Sequence, residues 1–144
     1  MIARLVSEET AHLYATSAYL DRVGRPTSLA QMSRLDFIGF GEISQKIDYL
    51  GALGLQLTTE NFKLASESGV VAWELVKAGL GIGAMSELMA RNTPGLEIAF
   101  PKMAPITFPI WLTTHCELHT SRRIRLVFDL LAEFLATEFG SARR

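Results

Sequence analysis

Short apolar runs alternate with helical ones along this chain, and the join that most narrows its possible folds is VKAGLGIGAM, residues 76–85, with glycines at positions 79, 81 and 83. Alternate glycines raise the question of a phosphate-cradling loop, because a residue without Cβ lets backbone N–H groups come close to an anion. Such a loop runs strand, glycine turn, helix, so that the helix N-terminus faces the anion. Here the order is reversed. Val71, Leu75 and Ala78 repeat at i, i+4 and i+7, so a helix capped by Ser66 or Ser68 stops at Gly79, and the glycines lead into an apolar strand. No Lys-Ser/Thr pair follows, which removes a P-loop. We read the glycines as a helix stop and as tight packing of the strand under the helix.

The rest of the chain continues the alternation. HLYAT (12–16) reads as a strand, AYLDRV as a brief helix opened by Ser17 and ended by Gly24, and LAQMS as another capped by Thr27 or Ser28. LDFIGFG (35–41) is a buried strand, and a glycine-bounded loop leads to a further strand at Leu55–Glu60. SELMAR is one or two helical turns opened by Ser86, and NTPG is a turn. LEIAF and FPIWLTTH are strands joined by the proline-marked PKMAPITF, and a last helix runs from Ser121 to Phe139. Strands alternating with helices imply an α/β class with a mainly parallel, covered sheet.

Composition narrows the function. At 144 residues, 49% hydrophobic and 20% charged, the chain has the size and apolar content of one globular domain. Fourteen Lys and Arg against fifteen Asp and Glu leave none of the basic excess that nonspecific nucleic-acid binding requires. No stretch approaches 18 uninterrupted apolar residues, and Glu8 and Glu9 fall where a signal peptide needs its apolar core. Cys116 is the only cysteine, so an internal disulfide is impossible, and the expected setting is a reducing cytoplasm with no membrane contact.

Catalytic motifs are missing. There is no G-x-S-x-G, and no histidine stands beside a serine in a recognisable pattern. Asp36 and Glu42 flank the FIGF strand, where paired carboxylates could do acid–base work, but acids at strand ends are more commonly solvated. HCELH (115–119) sets His115 and His119 four apart beside Cys116, a spacing that on a helix could share Zn²⁺. A structural zinc site needs four ligands, and His12 is the only other histidine. A polar strand end and loop is the simpler reading, so we expect no metal, no cofactor and no catalysis.

The terminal helix has an unusual face. On a 100° wheel Leu130, Phe134, Val127, Leu131, Ile124, Leu135, Phe128 and Phe139 share one arc of about half the circumference, wider than a surface helix needs. Arg122, Arg123 and Arg125 crowd its N-terminal end and Glu138 lies near the other, against the macrodipole. Such a helix must be held by packing on more than one side.

Several stretches resemble the effector-binding domain of LysR-type transcriptional regulators. LYATSAYLDRVGRPTSLAQMSRLDFIGF is similar to that family's passage into its second lobe, with A-x-x-x-Y-L, G-x-P and F-I-G. LVKAGLGIGAMSELMARNTPGL resembles the family's aGlGia-l-P segment, with Ser86 where proline is usual. WLTTHCELHTSRRIRLVFDLLAEFL resembles its closing strand, the H-x-E-L-x-x-S-x-R-I-R turn and the terminal helix. These motifs stand in the family's order over nearly all 144 residues.

The resemblance implies a type 2 periplasmic-binding-protein-like fold, two α/β lobes joined by two crossing strands. On this reading the chain holds mostly the second lobe, residues 14–106. It adds a crossover segment (1–13) and the return strand and terminal helix of the first lobe (107–144). The family's winged helix-turn-helix and the first half of lobe one are missing, so the chain reads as a fragment and Met1 as an artificial or alternative start. DNA would be contacted only through the missing N-terminal domain. A small-molecule effector, commonly an anion, would sit in the interlobe cleft. Carried over position by position, the cleft edge comprises Phe40, Gly41, Glu42, Asn61, Phe62, Ser68 and Met85. With most of lobe one absent, Ile124, Val127, Phe128, Leu131, Phe134 and Leu135 are expected to bury themselves against a second copy, giving a homo-oligomer. The alternative is a secreted solute-binding protein of a transporter with the same fold class. A small α/β enzyme is a third reading, without a nucleophile to support it.

Overall fold

The computed structural model describes residues 1–140. Residues 141–144, included above in the closing lobe-one segment, and the side chain of Phe139 lie outside the described residues. The strands are β1 (Ile2–Thr16), β2 (Ile38–Phe40), β3 (Leu64–Ser66), β4 (Gly83–Ser86), β5 (Leu96–Ile98) and β6 (Ile106–Thr114). The helices are α1 (Ser17–Val23), α2 (Leu29–Met32), α3 (Ile43–Ala52), α4 (Gly69–Lys77), α5 (Glu87–Arg91), α6 (Cys116–His119) and α7 (Arg122–Gly140). The chain forms two compact units. One is Met1–Ala11 with the chain from Ile106 onward, and the other is His12–Pro105.

In the His12–Pro105 unit, the end of β1 has β4 on one side and β5 on the other. β5 is antiparallel, with Tyr14 opposite Ile98 and Thr16 opposite Leu96. β2 and β3 pair in parallel, Ile38 with Leu64 and Phe40 with Ser66, and a parallel bridge joins Phe37 to Ile82. The expected mainly parallel sheet is therefore corrected. Parallel pairing joins β2 to β3 and Phe37 to Ile82, while β5 and β6 return antiparallel along β1.

Tyr14, Ile38, Ala72, Trp73, Val76 and Ala90 make the core between α4 and these strands. The Tyr14 and Trp73 rings meet edge to face, centroids 6.2 Å apart, the preferred aromatic geometry. The glycine run packs as its order implied. Gly79 takes φ +76° just after α4, the left-handed C′ conformation that glycine adopts without cost. A Cβ on Gly81 would stand 2.9 Å from the Asp36 carbonyl oxygen, and one on Gly83 2.5 Å from Val76 Cγ2.

Serine caps open α4 and α5 where expected: Ser68 Oγ accepts from Val71 N–H, and Ser86 Oγ from Met89 N–H. The expected Ser17 cap of α1 is corrected to Thr16, whose Oγ1 accepts from Tyr19 N–H, while Ser17 Oγ is turned to Glu97. The strand expected at Leu55–Glu60 does not form. Leu55 and Leu57 are buried there without strand pairing, Gln56 N–H donates to Ser33 Oγ, and a 3-10 turn follows at Thr59–Asn61. The true strand, β3, starts five residues after Thr59.

The other unit pairs the start of β1 with β6 antiparallel, from Ile2 opposite Thr114 to Ala11 opposite Ile106, with an irregularity between Leu5 and Ser7. β1 is thus 15 residues long rather than the expected five from His12. Among its first residues Ile2, Leu5 and Val6 do not alternate with polar ones, so no period-two pattern marks them. β6 pairs with β1 alone among the described strands, and its central Pro109 suits an edge strand, which needs fewer N–H donors. α6 and α7 complete the unit. Among the described residues no helix is long and apolar enough to cross a membrane.

Candidate functional site

Parallel strands present their C-terminal ends together, and ligands of α/β proteins gather there. In this chain that end is formed by Phe40 of β2 and Ser66 of β3, which are register partners. Beyond β2 the backbone turns at Gly41, with φ +61°, and Gly41 N–H donates to the Ser66 carbonyl at 3.3 Å. Glu42 then precedes α3 without a side-chain capping bond, and its Oε1 accepts from Ser44 Oγ at 3.3 Å.

Beyond β3, Ser66 Oγ accepts from Ser68 N–H at 3.1 Å, and Ser68 opens α4. The Phe40 ring lies over Gly69, where a Cβ would meet it at 3.4 Å. Phe40 itself is 45% exposed, a large apolar ring held at the edge of a polar turn. The first-turn N–H groups of α4 have no acceptors within their own helix, and among them that of Val71 donates to Ser68 Oγ. Lys46 reaches back from α3, donates to the Phe40 carbonyl and carries its Nζ 4.5 Å from the Phe40 ring centre. Burial holds the Lys46 ammonium below the ordinary lysine range. The arrangement offers an aromatic wall, backbone donors and one cation within a few residues.

Four of the expected cleft residues, Phe40, Gly41, Glu42 and Ser68, thus gather around one strand end. Asn61 and Phe62 do not join them. They precede β3, at the opposite end of the parallel pair, where the Asn61 carbonyl accepts from Phe37 N–H at 2.8 Å and the Phe62 ring lies 5.9 Å from that of Phe37. Asn61 is also fully engaged. Its Nδ2 donates to the Ser33 and Leu35 carbonyls, both at 2.9 Å, and its Oδ1 accepts from Thr58 N–H. The displacement follows from the misplaced strand: an end at Glu60 puts Asn61 at the C-terminal edge, whereas the edge of β3 is Ser66. Met85 packs against the Tyr14–Trp73 core instead of standing free. Sequence reasoning missed Lys46 and Ser66, because neither α3 nor β3 was expected, and α3 buries only Leu50.

The remaining candidates lie elsewhere. Asp36 pairs with Lys63 at 2.9 Å, well engaged away from Glu42. His115 and His119 bracket the short α6. His115 is exposed, and its Nδ1 lies 3.9 Å from Glu117, while the His119 ring turns edge-on to Phe128 at 5.5 Å. Among the described residues no group of three or more His, Cys, Asp or Glu could hold a metal ion.

On α7 the expected partner-facing residues divide. Phe128 is only 6% exposed, covered within its own chain together with Ala132. Leu135 is half-buried, and Ile124 lies at the margin of exposure. Val127, Leu131 and Phe134 are exposed, and they are joined by Leu126 and Leu130, which were not among those expected.

The model of the LysR substrate binding domain matches residues 1–136. No curated protein matches the chain. Among solved structures, the regulatory domain of CrgA, a LysR-type transcriptional regulator from Neisseria meningitidis, is 20% identical with a TM-score of 0.72, over 93% of this chain and 68% of that one. The effector domain of the transcriptional regulator AmpR of Pseudomonas aeruginosa is 14% identical with a TM-score of 0.73, over 99% of this chain and 68% of that one. Full-length AphB, a virulence activator from Vibrio cholerae, is 19% identical with a TM-score of 0.67 over 93% of this chain. The chain spans 48% of the AphB chain.

Proposed function

Because this chain belongs to the LysR substrate-binding domain family, and is thereby an effector-sensing domain of a transcriptional regulator with a periplasmic-binding-protein-like type 2 fold, we propose that it holds its effector at the C-terminal ends of β2 and β3. The observation that carries this placement is the convergence of exposed Phe40, the Gly41 turn and the Ser68-capped start of α4. An apolar wall beside backbone donors suits a small organic anion with an apolar body. Glu42 lines the rim. Lys46 holds the turn through the Phe40 carbonyl and adds positive charge. Asn61 acts from the far end of the strand pair, fixing its geometry.

The domain senses and does not catalyse. In the whole regulator a separate winged helix-turn-helix contacts DNA, and the protein works in the cytoplasm as a homo-oligomer assembled through the exposed side of α7. Residues 14–106 serve as the second lobe, with 1–13 and 107–144 belonging to the first. The family match supports this reading over that of a transporter's solute-binding protein. A thermal-shift screen of small organic anions tests it. A binder should raise the melting temperature of this chain, as ligation of the folded state must, and Phe40→Ala should abolish the shift without lowering the unliganded melting temperature by more than a few degrees. No binder for the chain or for a longer version of it would overturn the reading.

A further inference from the structure

Lys46 is a cation without a carboxylate. Glu42 stands four residues before it, acid ahead of base, the spacing and order that favour a pair on a helix. That pair does not form. Glu42 Oε1 accepts from Ser44 Oγ at 3.3 Å instead, and among the described residues Lys46 is in no ion pair. Its half-buried side chain turns to Phe40, donating to the carbonyl and standing 4.5 Å from the ring centre.

A carboxylate would hold this ammonium better than either contact does. Hydrogen bonds between ionised partners are roughly twice as strong as neutral ones, and an ammonium has three N–H donors, of which the Phe40 carbonyl takes one. Burial depresses the ammonium, and no carboxylate offsets it. The flank toward the turn is open: beyond its chain neighbours, a Cβ on Gly41 would come within 4.0 Å of Lys46 Nζ alone. The Phe40 ring beside the ammonium is itself half-exposed.

We propose that Lys46 selects the effector by charge: the ligand is a monocarboxylic acid with an apolar or aromatic body, its carboxylate accepting from Lys46 and its body lying against Phe40. One lysine balances one charge. The exposed Glu42 carboxylate at the rim repels a second, so a dicarboxylate fits less well. This inference deepens the effector reading above and rests on it, adding the residue that separates an acid from its uncharged isostere.

Phenylacetate, phenylacetamide and phenylmalonate share one ring and carry one, no and two negative charges at neutral pH. Their binding to this chain is read from backbone-amide NMR shifts. Wild type should bind phenylacetate roughly tenfold more tightly than the amide, the effect of one charge-assisted hydrogen bond, and more tightly than phenylmalonate. Lys46→Met should bring acid and amide level without weakening the amide, whose unchanged shifts at Phe40 and Gly69 report an intact turn. Lys46→Arg should keep the preference for the acid. Acid and amide binding equally well to wild type at Phe40 and Gly69 would leave the site standing and overturn this inference alone. So would a preference for phenylmalonate, a Lys46→Arg variant without the preference, or a Lys46→Met variant that loses acid and amide alike, since the lysine then only positions the turn. No shift at Phe40, Gly41 or Gly69 with any of the three would overturn the placement of the effector site, and this inference with it.

Discussion

Gly83 lies so close beneath Val76 that a Cβ on the glycine would stand 2.5 Å from Val76 Cγ2. Val76 is almost fully buried and sits in α4, whose start forms part of the proposed effector site. The glycine therefore sets how closely β4 approaches the helix that supplies the site's N–H donors. Gly83→Ala should cost about 1–3 kcal/mol through overpacking. Shortening the neighbour in Gly83→Ala/Val76→Ala should return part of that loss, so the double change costs less than the sum of the singles. Urea unfolding of the three variants reads the coupling.

Asn61 provides a second case in which position decides the role. Its side chain ties the Ser33 and Leu35 carbonyls and the Thr58 N–H into the turn before β3. Asn61→Ala should destabilise the chain by about 1–3 kcal/mol, the range for stranding part-buried polar groups. Affinity for an effector, measured well below the melting temperature, should change less than threefold. A large loss of affinity with unchanged stability would return Asn61 to direct contact.

Acid should loosen the join between α1 and β5. Arg25 donates to Glu97 Oε1 and Ser17 Oγ donates to Oε2 at 2.6 Å, and these two bonds, the arginine first, hold the Glu97 carboxyl below its usual range. A depressed folded pKa contributes stability that is fully present above the unfolded carboxyl value of about 4.3 and is lost as pH falls through the folded value. The melting temperature should therefore fall below about pH 4.3, and Glu97→Gln should flatten that limb by lowering the melting temperature slightly at pH 7–8 while leaving it nearly unchanged in acid. The Glu97 side chain is 37% exposed, so solvent screening keeps the difference between the two pH curves small, and it should shrink further with added salt.

The parts of this fold that were legible in the sequence are those written in local chemistry. Gly79 stops α4, Ser68 and Ser86 open helices, and Gly81 and Gly83 admit close packing, all from residues that adopt few other roles. What stayed hidden depends on partners distant in sequence. The first half of β1 is a strand because β6 pairs with it, not because of its own alternation. The Leu55–Leu57 alternation mimics a strand, but both side chains plug a core while the intervening Gln56 N–H bonds Ser33. That single misreading moved the strand end from Ser66 to Glu60 and carried Asn61 and Phe62 into the candidate site. On α7 the wide apolar arc was visible, and so was the need for packing on more than one side. Which edge faces inward was not, because periodicity fixes an arc without its direction, and here the inner edge is the small Ala132 beside Phe128.

The most direct measurement is a backbone-amide NMR titration of this chain with a small organic anion selected by thermal shift. We expect the largest shifts at Gly41, Ser68, Gly69 and Val70, with smaller ones through Lys46 and little change at Asn61 or along α7. Shifts confined to α7, or spread evenly with no maximum at the ends of β2 and β3, would contradict the proposed site.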